Sequence, residues 1–308
     1  KNIEFDGQYK AFINPFYSNI MNKIVNENEI QKRIEHYKSL PLRHFNEDSA
    51  YRFILNSIDL TTLEGSDNKK KVESLCQKAL AYKNEDKQIP TTAAVCVYPV
   101  FVAQAKELLK NSNVKVAAVA GAFPAGQSPI EIKVAEVKYT VEQGADEIDM
   151  VISRGKFLEG NYQEVFDEIV AIKKACGKAR LKVILETGEL QTLTNIYKAA
   201  EIAIEAGADF IKTSTGKVAV NATPESFLVM LDAIKAHYEK TGKKVGMKPA
   251  GGISDADTAL AYLKILENVL GEPWLNNHLF RIGASRLADA IYQKCDPAAK
   301  VEKSNSSY

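Results

Sequence analysis

Cysteine, histidine and tryptophan are scarce in this chain: 308 residues hold four Cys, four His and one Trp. The cysteines, Cys76, Cys96, Cys176 and Cys295, lie far apart with no C-x-x-C pair. That excludes a disulfide framework and reads as free thiols in a reducing cytoplasm. The histidines, His36, His44, His237 and His278, show no ligand spacing, so no metal is expected. No Ser-His-Asp ordering stands out. An excess of one charge is missing too. Forty Lys and Arg face 39 Asp and Glu, a net +1, which offers no stripe for nucleic acid and no patch for a membrane surface. Uncharged stretches such as Thr91–Ala105 and Val116–Ile130 carry proline and fall short of the ~20 apolar residues of a spanning helix. The start, KNIEFDGQYK, is polar and lacks the apolar core of a signal peptide. It begins with Lys rather than Met, so a few residues are expected to precede it.

What is present is a regular alternation. Hydrophobic residues make up 45% and charged residues 26%, close to a globular average. Residues 1–48 stand apart, rich in Asn, Lys, Glu and Ile, and read as a helical extension closed by Ser39-Leu40-Pro41. Eight β-branched runs follow: Phe53–Leu60, Ala93–Tyr98, Val114–Ala120, Glu147–Ser153, Leu181–Glu186, Phe210–Thr215, Lys244–Pro249 and Phe280–Ala284. Amphipathic stretches with start signals lie between them. Ser128-Pro129-Ile130-Glu131 reads as a capping box with Pro at the first helical position. Asn161 and Thr223-Pro224 open further helices. Gly144 and Gly177 stop two of them. Eight strand–helix units over residues 49–294 predict a TIM (β/α)8 barrel. A doubly wound open sheet is the alternative, but no G-x-G-x-x-G or G-x-x-x-x-G-K-[ST] supports it, and no cofactor is expected. The polar segment 295–308 reads as a flexible tail.

An internal echo relates two of the strands. Glu142-Gln-Gly-Ala-Asp-Glu-Ile-Asp149 matches Glu205-Ala-Gly-Ala-Asp-Phe-Ile-Lys212. Asp149 and Lys212 therefore occupy the same depth of strands 4 and 6, and are predicted to face each other across the barrel.

Lysine is rarely buried without a reason. Lys212 and Lys248 both sit toward the C-terminal ends of apolar strands, the face where barrel active sites form. Strand-end lysines that snorkel to water are the plain alternative. Lys182, at the start of strand 5, reads as structural. Two ammonium groups among apolar walls lower one another's pKa, and a free amine attacks carbonyls to give a Schiff base. Asp149 is then the nearest proton shuttle, or else a salt-bridge partner. A second constellation, Thr215-Gly216-Lys217, Gly251-Gly252 and Gly283-Ala284-Ser285, follows strands 6, 7 and 8. Glycine N–H groups and a helix N-terminus there suit a phosphate, although helix caps also explain such glycines.

These motifs resemble a known family. DFIKTSTGKVAVNATPES, KPAGGI, IDLTTL, AAVCVYP, ADEIDMV, LKVILETGEL and FRIGAS are similar to the deoxyribose-phosphate aldolases, and the likeness covers about residues 50–295. The resemblance implies a metal-free, class I reaction through a lysine Schiff base. It implies that 2-deoxy-D-ribose 5-phosphate is cleaved reversibly to acetaldehyde and D-glyceraldehyde 3-phosphate. It places the Schiff base on Lys212, the lysine that keeps it nucleophilic on Lys248, the proton shuttle on Asp149 and a supporting aspartate on Asp59. Cys96 matches a pocket-lining cysteine. Gly216, Lys217, Gly251, Gly252 and Ser285 match the phosphate site, and the final Tyr308 matches a tyrosine thought to assist proton transfer. The implied partners are a small phosphorylated sugar and aldehydes in the cytoplasm, with a homo-oligomer left open. Arg286 departs from the Ser or Thr of many members, and Met247 from a common Phe. Another Schiff-base aldolase, transaldolase-like, and a catalytically dead barrel are the competing readings. The strand 6 motif argues against the first, and intact Lys212, Lys248, Asp149 and Asp59 against the second.

Overall fold

The computed structural model describes residues 23–299; Tyr308 lies outside them. Its centre is one parallel eight-stranded sheet in the order β7-β6-β5-β4-β3-β2-β1-β8. The strands are β1 (Ile58–Thr61), β2 (Ala94–Val97), β3 (Lys115–Ala120), β4 (Glu147–Val151), β5 (Arg180–Ile184), β6 (Phe210–Lys212), β7 (Gly246–Lys248) and β8 (Ile282–Ala284). Bridges from Met247 to Phe280 and from Ala250 to Gly283 join β7 to β8 and close the barrel. All eight expected strands are present, but the first is displaced. Phe53–Asn56 belongs to a helix, Glu47–Asn56, opened by Asn46, whose side chain accepts the Ser49 N–H. Its Ala50, Tyr51, Ile54 and Leu55 are buried on one side. The apolar run Phe53–Leu60 thus spans a helix end and a strand, which periodicity over so short a run does not separate.

The helices are α1 (Glu27–Ser39), α2 (Glu47–Asn56), α3 (Lys69–Ala81), α4 (Val102–Leu109), α5 (Ile130–Glu142), α6 (Arg154–Leu158), α7 (Tyr162–Cys176), α8 (Leu193–Glu205), α9 (Pro224–Thr241), α10 (Ala256–Leu270) and α11 (Leu287–Cys295). The capping box forms at Thr223 with Ser226 and not at Ser128. Helix α5 starts one residue later, with Pro129 at the cap and no side-chain cap bond. Asn161 sits at the cap of α7, but its amide turns to Glu159 instead. None of the described helices is long and apolar enough to cross a membrane. Helix α1 is tied to the barrel: Arg33 forks onto Asp232 of α9 at 2.7 Å through both nitrogens. The following turn donates the Arg43 and His44 N–H groups to the buried Glu267 of α10.

The internal echo has a structural cause. Asp146 accepts the Val116 N–H and the ammonium of Lys106. Asp209 accepts the Leu181 N–H and the ammonium of Lys173. In both units a Gly with positive φ, Gly144 or Gly207, stops the helix. The Asp two residues later ties the next strand to the one before it.

Strand alternation sorts the residues into two sets. Ile58, Leu60, Val95, Val97, Ile148, Met150, Leu181, Val183, Ile211, Met247 and Ile282 join the hydrocarbon core shared with the helices. The opposite face of the same strands points into the barrel.

Candidate active site

The barrel interior is a column of ionisable groups. Alternate strands supply successive layers in such a barrel. The lowest holds Glu147 from β4 and Arg281, just before β8. The middle holds Asp59, Lys182 and Lys248 from β1, β5 and β7. The top holds Cys96, Asp149 and Lys212 from β2, β4 and β6. All are buried; Lys212 is 3% exposed, and Asp149, Asp59, Lys182 and Lys248 are 0% exposed.

The bonds run upward through these layers. Arg281 donates to Glu147 at 2.8 Å and to Asp59 at 2.6 Å. Lys182 bridges Glu147 at 2.5 Å and Asp149 Oδ1 at 2.8 Å. Lys248 bridges Asp59 and Asp149 Oδ2, the latter at 2.8 Å. Lys212 donates to that same Oδ2 at 2.8 Å and to no other carboxylate within the described residues. Asp149 and Lys212 thus meet as the internal echo predicts. Lys212 and Lys248 are register partners on adjacent strands and share one acceptor oxygen.

Lys182 is the residue misjudged from sequence. Counted from the start of its strand it belongs to the far end of the barrel, yet its Nζ reaches Asp149 Oδ1 at 2.8 Å, beside Lys212 and Lys248. Strand stagger is the reason. Asp149 is the register partner of Lys182, and Lys182 of Phe210, so strands that tilt around a barrel climb relative to one another. Position along one strand does not give height. Glu147 and Arg281 were also missed; Arg281 stands as a charged residue inside an apolar run, whereas Glu147, at the start of β4 between Asp146 and Asp149, carries no such signal.

The column contains Asp59, Glu147 and Asp149 against Lys182, Lys212, Lys248 and Arg281: three carboxylates and four cations. The surplus falls on Lys212. Burial pushes its pKa down from the usual lysine range, and the charge of Lys248 adds to this against the pull of Asp149. Lys182 and Lys248 are also buried, but their carboxylate partners outweigh burial and hold both above the usual range. Asp149 is likewise desolvated, yet the three lysines hold it well below the carboxylate range. A barrel with Lys212 neutral carries balanced charge. The top layer therefore presents an amine of lowered pKa beside an ionised carboxylate, which is what carbonyl addition needs. Cys96 shares that layer, and burial pushes its thiol up to about 11, with Asp149 adding to the effect.

Above the column, the loops after β6, β7 and β8 present N–H groups. Those of Gly216, Gly252 and Ser285 donate to no other described residue, and all three residues are exposed. Gly251 and Gly252 both hold positive φ, 77° and 79°; a Cβ on Gly251 would meet Asn221 at 2.7 Å. Three expected members do something else. The Gly251 N–H donates to Gly283 O at 3.4 Å. The Thr215 N–H and hydroxyl both donate to Glu186, so its donors are consumed in fixing the loop. The Gly283 N–H donates to Pro249 O at 2.9 Å. A Cβ there would meet Ala250 Cβ at 2.8 Å and Lys248 Cε at 3.2 Å, so Gly283 makes room for both. Arg286 is exposed at the cap of α11, and Met247 packs in the outer core. Ser214, two residues past Lys212, has a buried hydroxyl with no partner among the described residues.

Known proteins carry the same arrangement of strands. The human protein described as deoxyribose-phosphate aldolase is 51% identical over 245 residues, 76% of this chain and 77% of its own. Among solved structures, one titled "QR15, an Aldolase" superposes with a TM-score of 0.63 at 31% identity, covering 78% of this chain and 95% of its own. The Aeropyrum pernix deoxyribose phosphate aldolase, whose title describes a tetramer, shares the fold with a TM-score of 0.66 at 23% identity, covering 89% of this chain and all of its own. A sequence profile described as DeoC/LacD family aldolase matches residues 53–264. Buried lysines, barrel and profile agree, and the chain belongs to the DeoC/LacD aldolase family.

Proposed function

We propose that this protein cleaves 2-deoxy-D-ribose 5-phosphate, reversibly, to acetaldehyde and D-glyceraldehyde 3-phosphate. The observation that carries the reading is Lys212. It is the one cation of the column with a lowered pKa, in the layer nearest the barrel mouth, and the curated relatives act in name on this substrate. Lys212 Nζ adds to the C1 aldehyde of the open-chain sugar, and loss of water gives an iminium. The C3 hydroxyl gives up its proton, the C2–C3 bond breaks, and its electrons flow into the iminium to leave an enamine. Protonation at C2 and hydrolysis release acetaldehyde and restore the amine. Asp149, working through a water, is the group that moves these protons. Lys248 and Lys182 hold it ionised, and Asp59 with Arg281 holds Lys248.

In the same reading the phosphate rests on the free N–H groups of Gly216, Gly252 and Ser285, beside Lys217 and the N-terminus of α11. Residues 49–294 form the catalytic barrel, 1–48 an N-terminal extension whose Arg33, Arg43 and His44 bond to α9 and α10, and 295–308 a tail. Tyr308, at the end of that tail, is proposed to speed proton exchange at C2. The setting is cytoplasmic deoxyribonucleotide breakdown. Borohydride reduction in the presence of acetaldehyde, followed by peptide mapping, tests the reading. The stable adduct is expected on Lys212, and an adduct confined to Lys248 or Lys182 refutes the assignment.

A further inference from the structure

The ammonium of Lys217 is already engaged. It lies 2.9 Å from Glu64 Oε1, a residue 153 positions earlier in the chain. Lys217 follows β6 and Glu64 follows β1. These strands are not neighbours, since β7 and β8 lie between them on that side of the barrel. The ion pair therefore links two loops across the sector whose strand ends carry Gly252 and Ser285.

Both anchors are fixed from below. Thr62 Oγ1 and the Glu64 N–H donate to the two oxygens of Asp67, and the Asp67 N–H returns to Glu64 O. On the other side the Lys217 N–H donates to Thr215 Oγ1 at 3.1 Å, and Thr215 is held by the buried Glu186. Neighbouring Leu63 packs on Cys96 inside the barrel mouth. Two rigid loops thus hold a contact between groups that are themselves open to water, the side chains being 26% and 58% exposed for Lys217 and Glu64. Such a contact is weak and readily exchanged.

We propose that Glu64 is a specificity-determining residue: its carboxylate stands in for the substrate phosphate on Lys217 and must yield when that phosphate binds. The proposal rests on Lys217 belonging to the phosphate site. A phosphate monoester carries more charge than a carboxylate near pH 7, about −1.5 to −2, and its additional oxygens meet the free N–H groups of Gly216, Gly252 and Ser285. It therefore displaces Glu64, whereas an unphosphorylated sugar does not. Because the two anions compete for one cation, the apparent affinity for phosphate is lowered by the fraction of Lys217 that Glu64 holds. For an exposed pair that factor is about two to six. Glu64 sets how strongly the enzyme prefers phosphorylated substrates, and it keeps Lys217 from remaining an unpaired cation when the site is empty.

The test compares Glu64→Gln, Glu64→Asp, Lys217→Met and the double variant Glu64→Gln/Lys217→Met. KM and kcat are measured with the phosphorylated sugar, 2-deoxyribose 5-phosphate, and with the unphosphorylated sugar, 2-deoxyribose. Inorganic phosphate serves as a competitive inhibitor. Glu64→Gln is expected to lower the inhibition constant for phosphate about two- to sixfold. The KM for the phosphorylated sugar should fall by the same factor relative to that for the unphosphorylated one. Glu64→Asp, which keeps the charge on a shorter arm, should fall between Gln and wild type. The gain should vanish in the Lys217→Met background, the coupling expected of residues in contact. An unchanged or raised phosphate inhibition constant in Glu64→Gln overturns the proposal. If Lys217→Met instead binds phosphate as wild type does, the phosphate-site reading itself fails, and the competition with it.

Discussion

The same eight strands have two faces that obey different rules. Outward, Val183, Ile211, Met247 and Ile282 meet the helices through hydrocarbon alone. That contact is non-directional and roughly proportional to area, so any side chain of similar volume serves. Inward, Asp59, Glu147, Asp149, Lys182, Lys212, Lys248 and Arg281 form a bonded column. There both the direction of each bond and the count of charges matter, because an unpaired charge in a low dielectric is costly. The outer face sets the fold, and the inner face sets which lysine has its pKa lowered. Even two lysines bonded to the same Asp149 oxygen differ: the pKa of Lys212 is lowered while that of Lys248 is raised.

The sharpest way to break this comparison is to remove Lys212. Lys212→Met should lose more than about 10³-fold in kcat and also melt at a higher temperature than wild type. A lysine whose folded pKa lies below its unfolded value, about 10.4, releases a proton on folding that the unfolded chain keeps. It is neutral for stability above that value and costs stability as the pH falls below it, so the gain from Lys212→Met should shrink in alkali. Lys248 has the opposite sign. Its contribution is fully present below pH ~10.4 and is lost as pH rises through its raised folded pKa. Lys248→Leu should therefore melt lower than wild type. Thermal scans at pH 7 and pH 10.5 separate the two signs; equal signs at pH 7 would contradict the charge count.

The next effect tests the surplus cation. Lys248→Leu, and equally Lys182→Met, leaves three cations against three carboxylates, so Lys212 should keep its proton to higher pH. The pH–rate profile for Schiff-base formation should move up by about one unit or more, a roughly tenfold loss at neutral pH. A wild-type profile in Lys182→Met would return that residue to a purely structural role.

A smaller effect should follow on the outer face. Ile211 is fully buried beside Lys212 in sequence but joins the hydrocarbon core. Ile211→Ala should cost about 2–5 kcal/mol of stability, read by denaturant unfolding, while the pH–rate profile keeps its midpoint. A displaced midpoint would mean that the two faces are not separable.

The smallest expected effect is at Cys96. With its thiol pushed up to about 11, it is protonated at neutral pH and a poor nucleophile. Cys96→Ala should extend the lifetime in concentrated acetaldehyde only modestly, and only above pH ~8 should the difference widen. Mass spectrometry of the Cys96 peptide checks this directly.

Much of this was legible in the sequence because it is local. The eight strand–helix units, the stops at Gly144 and Gly177 and the opening of α9 at Thr223 follow from periodicity and cap chemistry. Lysines inside apolar runs marked Lys212 and Lys248, and the echo placed Asp149 opposite Lys212. Misjudged features were those that depend on neighbours. Phe53–Leu60 divides between α2 and β1 because the cap at Asn46 lies outside that run. Thr215 and Gly283 looked like phosphate donors, but Glu186 and Pro249 already take their N–H groups.

Residue types and their spacing therefore determined by themselves that this chain builds a parallel barrel with amines inside it. Tertiary structure decided which of the buried amines has its pKa lowered. That choice depends on strand stagger, which lifts Lys182 to Asp149, and on a sum of charges drawn from β1, β4, β5, β6, β7 and the residue before β8. A pKa in a buried site is set by the charges within a few ångströms, and those come from residues up to 222 positions apart in the chain.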